Sequence, residues 1–178
     1  MPVLEVAERC RTATLAFLRE LEPASRTPSR ALHQWLAACD ALVAQLRGER
    51  PQEHARPVRV DRVAESPAVA HAYVLGVVRG MTQPEGDVSF SYAAMHNGLI
   101  ERCRDETGRP GWMPVARPNM KPSERALSLL AVDYLVRPAD WLGALVVCSA
   151  CDAVEFDPEG RVRGLCREHR ESQPKIAV

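Results

Sequence analysis

Lysine is almost missing from this chain. Of its 178 residues only Lys121 and Lys175 are lysines, so nearly all of the 23 basic side chains are arginine, and 23 acidic ones balance them. A formal charge of zero excludes a chain-wide attraction to nucleic acid or to an anionic membrane, and leaves only local patches to supply one. Aromatic residues make up only 5%. No apolar run approaches the roughly 18 to 20 residues that span a bilayer. The opening residues Met1 to Glu8 lack a basic n-region and meet acids at once, so no signal peptide is expected. The expected location is therefore the cytoplasm, where thiols stay reduced. There, six cysteines point to metal binding or core packing rather than to disulfides. The preference for arginine, with abundant alanine, valine and proline, fits a GC-rich bacterial genome.

What is present is helical periodicity. Val3, Ala7, Cys10, Thr14, Phe17 and Leu21 recur at four- and three-residue steps and mark one face of a first helix. Thr27-Pro28 reads as an N-cap and first helical position, after which Leu32, Trp35, Cys39, Leu42 and Leu46 repeat the spacing up to Gly48. The two helices are expected to form an antiparallel hairpin. Residues 48–66 read as a charged connector, with a short strand possible over Val58 to Asp61. Ser66-Pro67 opens a third helix, apolar nearly all round through Val69, Ala72, Tyr73, Val74, Leu75, Val77 and Val78, ending at Gly80 and expected at the centre of a bundle. A fourth helix is expected from Asp87 or Ser89 to about Glu106, with Tyr92, Met95, Leu99 and Cys103 inward and Gly98 costing roughly 1 kcal/mol in its middle. A proline-rich loop over about 108–122 carries Trp112, Met113 and Met120 and is expected to dock on the core. A fifth helix from Pro122 buries Leu127, Leu130, Ala131 and Tyr134, and Pro138 to Trp141 forms a helical turn.

The chemistry-bearing constellation lies at the C-terminal end. Cys148 and Cys151 form a C-x2-C pair, and fourteen residues later Cys166 and His169 form C-x2-H. Two residues between thiols let both sulfurs reach one ion at about 2.3 Å, and His169 stands roughly one helical turn after Cys166. Leu145 to Val147 and Ala153 to Phe156 are strand-like. Asp157-Pro158-Glu159-Gly160 suits a type I turn, with Arg161 to Arg163 returning as a partner strand. Knuckle, hairpin and ligand-bearing helix start describe a treble clef. Four protein ligands close the tetrahedron, so the expected Zn2+ is structural; a catalytic zinc keeps one position open.

Over residues 126–170 the chain resembles the CGNR-type zinc finger at the C-terminus of some bacterial regulators. The shared positions are Cys148, Cys151, Phe156, Asp157, Arg161, Arg163 and Cys166. The family's Cys-Gly-Asn-Arg signature is replaced here by Cys166-Arg167-Glu168-His169. The resemblance implies a zinc module and contact with DNA.

The fold expected is thus mainly α: a bundle of about five helices over residues 1–143, with a small zinc-binding β-hairpin module over 144–173. Cys10, Cys39 and Cys103 lie on apolar stripes and read as packed thiols. His71 and His96 read as hydrogen-bonded structural histidines. No catalytic triad and no phosphate-cradling glycine loop is legible, so the expected function is non-enzymatic: regulation or assembly through a protein partner. The second reading is a DNA-binding regulator using Arg161, Arg163, Arg167, Arg170 and Lys175, the arginines capable of gripping phosphate in a planar fork. Trp112, if exposed, is a further partner contact.

Overall fold

The structure, a computed structural model, describes residues 1–20, 30–48, 65–117 and 119–172. Its elements in chain order are α1 (Val3–Glu20), α2 (Arg30–Leu46), α3 (Pro67–Thr82), α4 (Ser89–His96), β1 (Ile100–Arg104), β2 (Pro110–Pro114), α5 (Pro122–Val136), α6 (Pro138–Ala144), β3 (Leu145–Val147), β4 (Val154–Phe156), α7 (Pro158–Arg163) and α8 (Arg167–Glu171). The architecture is mainly helical with two small antiparallel strand pairs, β1–β2 and β3–β4. No helix among the described residues is long and apolar enough to cross a membrane.

The centre belongs to α5. Eleven of its fifteen residues are buried, all round the helix, and α1, α3, α4 and β2 pack on it. The third helix does not take that place as its composition predicts: Ala70, Val74, Leu75, Val78 and Met81 of α3 face the core, but Val69 and Tyr73 are exposed. Ser66 caps α3 as its sequence predicts, its hydroxyl accepting from the Val69 N–H, and the helix continues past Gly80 to Thr82. The α5 N-terminus is held by carboxylates: Glu124 accepts from the Lys121 N–H, and Glu65 accepts from both the N–H and the hydroxyl of Ser123. Negative charge there also complements the positive end of the helix dipole.

The first two helices follow their apolar spacing. Ala7, Cys10, Thr14 and Phe17 of α1 and Leu32, Trp35, Cys39 and Leu46 of α2 are buried, and Trp35 donates its indole N–H to the Ala13 carbonyl at 2.9 Å. Burial pushes the Cys10 thiol far up and the Cys39 thiol up to about 12, so both stay protonated as small apolar groups. His71 is bonded through Nε2 to the Leu18 carbonyl. The expected N-cap at Thr27-Pro28, the strand over Val58 to Asp61, and Leu21 lie outside the described residues.

The fourth helix is shorter than its apolar pattern implies. It stops at His96 because Gly98 takes the left-handed conformation, φ +60°, and the N–H groups of Asn97, Gly98 and Leu99 close back on Ala93, Met95 and Ala94. Gly98 therefore ends a helix rather than weakening one. Tyr92 is exposed, and Leu99 leads into β1, which pairs with the proline-rich segment as β2. Asp105 builds the tight loop between the strands by accepting from the N–H groups of Thr107 and Arg109, with Gly108 at φ +81°.

One buried charge ties these layers together. Asp133 of α5 is fully buried and accepts four N–H groups: Arg11 Nε at 2.7 Å, Trp141 Nε1 at 2.8 Å, and Arg137 Nη2 and Nε at 2.9 and 3.1 Å. Arg11 reaches on to Asp140, and its guanidinium lies over the Phe156 ring, 4.3 Å from the centroid. Trp141 meets the same ring edge-on. Replacing Asp133 with alanine leaves two guanidiniums and an indole N–H without their partner, and is expected to cost about 3–5 kcal/mol in urea unfolding. Glu101→Gln, which breaks only the exposed pair with Arg47, is expected to cost less than about 1 kcal/mol in the same measurement.

Candidate metal centre

The C-terminal cluster is assembled by short elements with strong local signals. β3 pairs with β4 in the register Leu145↔Phe156, Val146↔Glu155 and Val147↔Val154. The ladder continues one step further, the Cys148 N–H donating to the Ala153 carbonyl, so Cys148 and Cys151 lie on the turn at the tip. Asp152 closes that turn with a left-handed backbone, φ 61°, which aspartate tolerates better than most residues. Its carboxylate pairs with Arg79 of α3.

The second ligand pair reaches the first by a route the sequence pattern does not predict. Residues 158–163 form helix α7, not a return strand, and β4 pairs with β3 instead. Asp157 caps α7 by accepting from the Glu159 N–H, Pro158 occupies the first turn, and Gly164 ends the helix at φ +65°. These stop and start residues outweigh the strand propensity of a three-residue apolar alternation. Gly160 permits close packing there: a Cβ on it would lie 2.8 Å from the Leu165 carbonyl oxygen. Ser149 N–H then donates to the Gly164 carbonyl, bringing Cys166 beside the knuckle, and Cys166 opens α8 with His169 on its first turn.

The result is a group of four donors, Cys148, Cys151, Cys166 and His169, whose ligand atoms all lie within 4.8 Å of one another. Cys151 Sγ and Cys166 Sγ are 3.9 Å apart. Nδ1 of His169 is 3.7 Å from Cys148 Sγ and 3.1 Å from Cys166 Sγ. Ligands at about 2.3 Å for sulfur and 2.0–2.1 Å for nitrogen around a tetrahedral ion stand roughly 3.6–3.8 Å apart. The group could therefore hold one metal ion, and three soft sulfurs with one imidazole match zinc by donor type. Cys148 and Cys166 are buried, and Cys151 is exposed. Burial pushes the Cys148 thiol up, but hydrogen bonds from the backbone of Cys166, Ala150 and Cys151 outweigh it and bring it down to about 6. Cys151 accepts one backbone bond from Ala153, which lowers its thiol, yet local desolvation and the neighbouring thiols of Cys148 and Cys166 carry it up to about 11.

The structure separates the surrounding arginines. Arg161 donates to the Leu145 carbonyl, and Arg170 is clasped by Asp157 and Glu159, so both serve the module itself. Arg163 and Arg167 are exposed. Lys175 lies outside the described residues. Trp112 belongs to the other strand pair, half-buried on β2 with Arg102 above its ring. Nothing in the local sequence marks Arg19, which reaches from α1 to the Val154 carbonyl, or the Arg79–Asp152 pair. Only their long-range partners distinguish them from ordinary surface charges. Compared with known proteins, the chain matches no family model, no curated protein and no solved structure.

A cobalt titration of metal-free protein checks the donor set. Thiolate-to-cobalt charge transfer is expected. Because protons compete for the three sulfurs and the imidazole, the affinity should fall steadily as pH drops from about 8 to about 5. A pH-independent affinity would point to carboxylate ligands elsewhere.

Proposed function

We propose that the chain is a non-enzymatic protein whose C-terminal Cys3His group binds one structural Zn2+, and that this end serves regulation or assembly by engaging a protein partner. The observation that supports the reading is the donor set: four protein ligand atoms within 4.8 Å of one another, enough to fill a tetrahedral ion's coordination without water or substrate. The site is treble-clef-like in keeping a knuckle and a ligand at the start of a helix, with α7 standing where that fold has its second hairpin strand. Metal binding replaces a core that the segment from Leu145 to Ser172 is too short to build alone.

A protein partner is favoured over DNA by how the positive charge is used. Arg161 and Arg170 are engaged inside the module, which leaves Arg163 and Arg167 as its exposed guanidiniums among the described residues. Helix α8 has five residues, short for a major-groove reader. Exposed apolar side chains on neighbouring elements, Leu142 on α6 and Val162 on α7, are of the kind that protein interfaces cover. The CGNR resemblance supports the second reading, a DNA-binding regulator of a bacterial cytoplasm, through Arg163 and Arg167.

Metal analysis of purified protein is expected to return one zinc per chain. Cys148→Ser, Cys166→Ser and His169→Ala should each lose both the zinc and the order of the C-terminal segment, seen as accelerated proteolysis after Val147. A variant that keeps its fold and loses only a turnover would overthrow the structural role. For the DNA reading, duplex affinity should drop steeply with salt and weaken in Arg163→Ala and Arg167→Ala. The protein-partner reading expects no duplex binding even at low salt.

A further inference from the structure

An open cleft of about 690 Å³ lies where the β1–β2 hairpin meets the start of α1 and the end of α5. That volume is within the range of small-molecule sites. Val3, Leu135 and Val136 supply apolar walls, and Trp112 supplies a ring. The charges on its lining are the guanidiniums of Arg102 and Arg104, two residues apart on β1 and thus on one face of the strand, the face shared with Trp112 through the Arg102↔Trp112 pairing. Arg102 stacks over the indole with its Cζ 5.5 Å from the ring centroid. Cys103, the remaining titratable group of the lining, stays neutral because burial and the nearby Glu101 and Asp105 hold its thiol up.

The carboxylates closest in sequence are occupied. Glu101 pairs with Arg47, Asp105 accepts the loop N–H groups, and Glu106 pairs with the terminal ammonium of Met1. Among the described residues neither Arg102 nor Arg104 has an acidic partner; Arg104 donates only to the Gly108 carbonyl. The wall is firm, since a Cβ on Gly111 would lie 2.8 Å from a Val3 methyl, so hairpin and helix are packed together at that point.

We propose that this cleft binds a small aromatic carboxylic acid, its ring against Trp112 and the apolar walls and its carboxylate on Arg102 and Arg104. Two guanidiniums without an acidic partner suit a compact anion, and their planar forks match a carboxylate. The apolar remainder demands a body with few polar atoms, which a nucleotide, with its sugar hydroxyls and several phosphate oxygens, does not offer. The site shares no residue with the metal centre and does not depend on the metal reading.

Calorimetry of the purified 178-residue chain with naphthoate as the probe tests this. Saturable one-to-one binding is expected, weakened about tenfold by Arg102→Gln and by Arg104→Gln, and about tenfold weaker for the uncharged naphthalenemethanol. Both arginines are exposed, so these variants leave the fold intact. Trp35 and Trp141 are buried, so naphthoate should change the emission of Trp112 alone, and Trp112→Phe should abolish that signal. No saturable binding up to about millimolar probe, equal binding of acid and alcohol, affinity unchanged in Arg102→Gln, or tighter binding of inorganic phosphate than of naphthoate would each overturn the proposal.

Discussion

A fully buried carboxylate is tolerable only when every lone pair is answered, and Asp133 sets this requirement for the whole fold. Its four N–H donors come from three elements, α1, α6 and the turn that joins α5 to α6. None of these can move away without leaving charge unpaired in the interior. The same Arg11 that answers Asp133 covers the Phe156 ring of β4, so the constraint passes from the helical body into the strand pair that carries the cysteines. The Cys3His end is thereby positioned by an electrostatic demand originating outside it.

The parts of this architecture legible in the sequence are those fixed by local chemistry. The stripes of α1 and α2, the Ser66-Pro67 start of α3, the Pro122 start of α5 and the ligand spacing of Cys148, Cys151, Cys166 and His169 need only neighbours within a few turns. Two local signals carry more weight than the apolar pattern around them. Gly98 is a helix terminator, and Asp157-Pro158 with Gly164 brackets a helix of six residues, where a reading by apolar alternation gives a strand. The apolar face of α5 at Leu127, Leu130 and Ala131 is legible, but its burial all round is not. Ser123, Arg125, Ser128 and Asp133 lower its apparent hydrophobicity, and each is buried only because a partner from elsewhere, Glu65, Asp40, the Leu99 carbonyl or Arg11, meets it. Composition ranks α3 as more central, although α3 leaves Val69 and Tyr73 in water.

Around the candidate metal centre, residue types are legible in the sequence but their duties are not. Arginines that look alike in a basic run divide into an internal clasp at Arg170, a strand brace at Arg161, and exposed side chains at Arg163 and Arg167. The distinction comes from carbonyls and carboxylates placed by α7 and β3, and spacing alone cannot encode it. Charge counted along a chain overstates what a surface can offer to a phosphate backbone.

The long reach of α1 bears on how the chain is made. Arg11 answers a carboxylate 122 positions later, and Arg19 answers a carbonyl 135 positions later. Helix α1, with Phe17 and Cys10 on its apolar face, thus completes its packing only after residues near 156 have been made. At about 5–20 residues per second, that is a wait on the order of ten seconds, long by the standard of helix formation. Over that interval Phe17 can already rest on Trp35 of α2, while the Arg11 guanidinium waits for the carboxylate and the ring that it finally bridges.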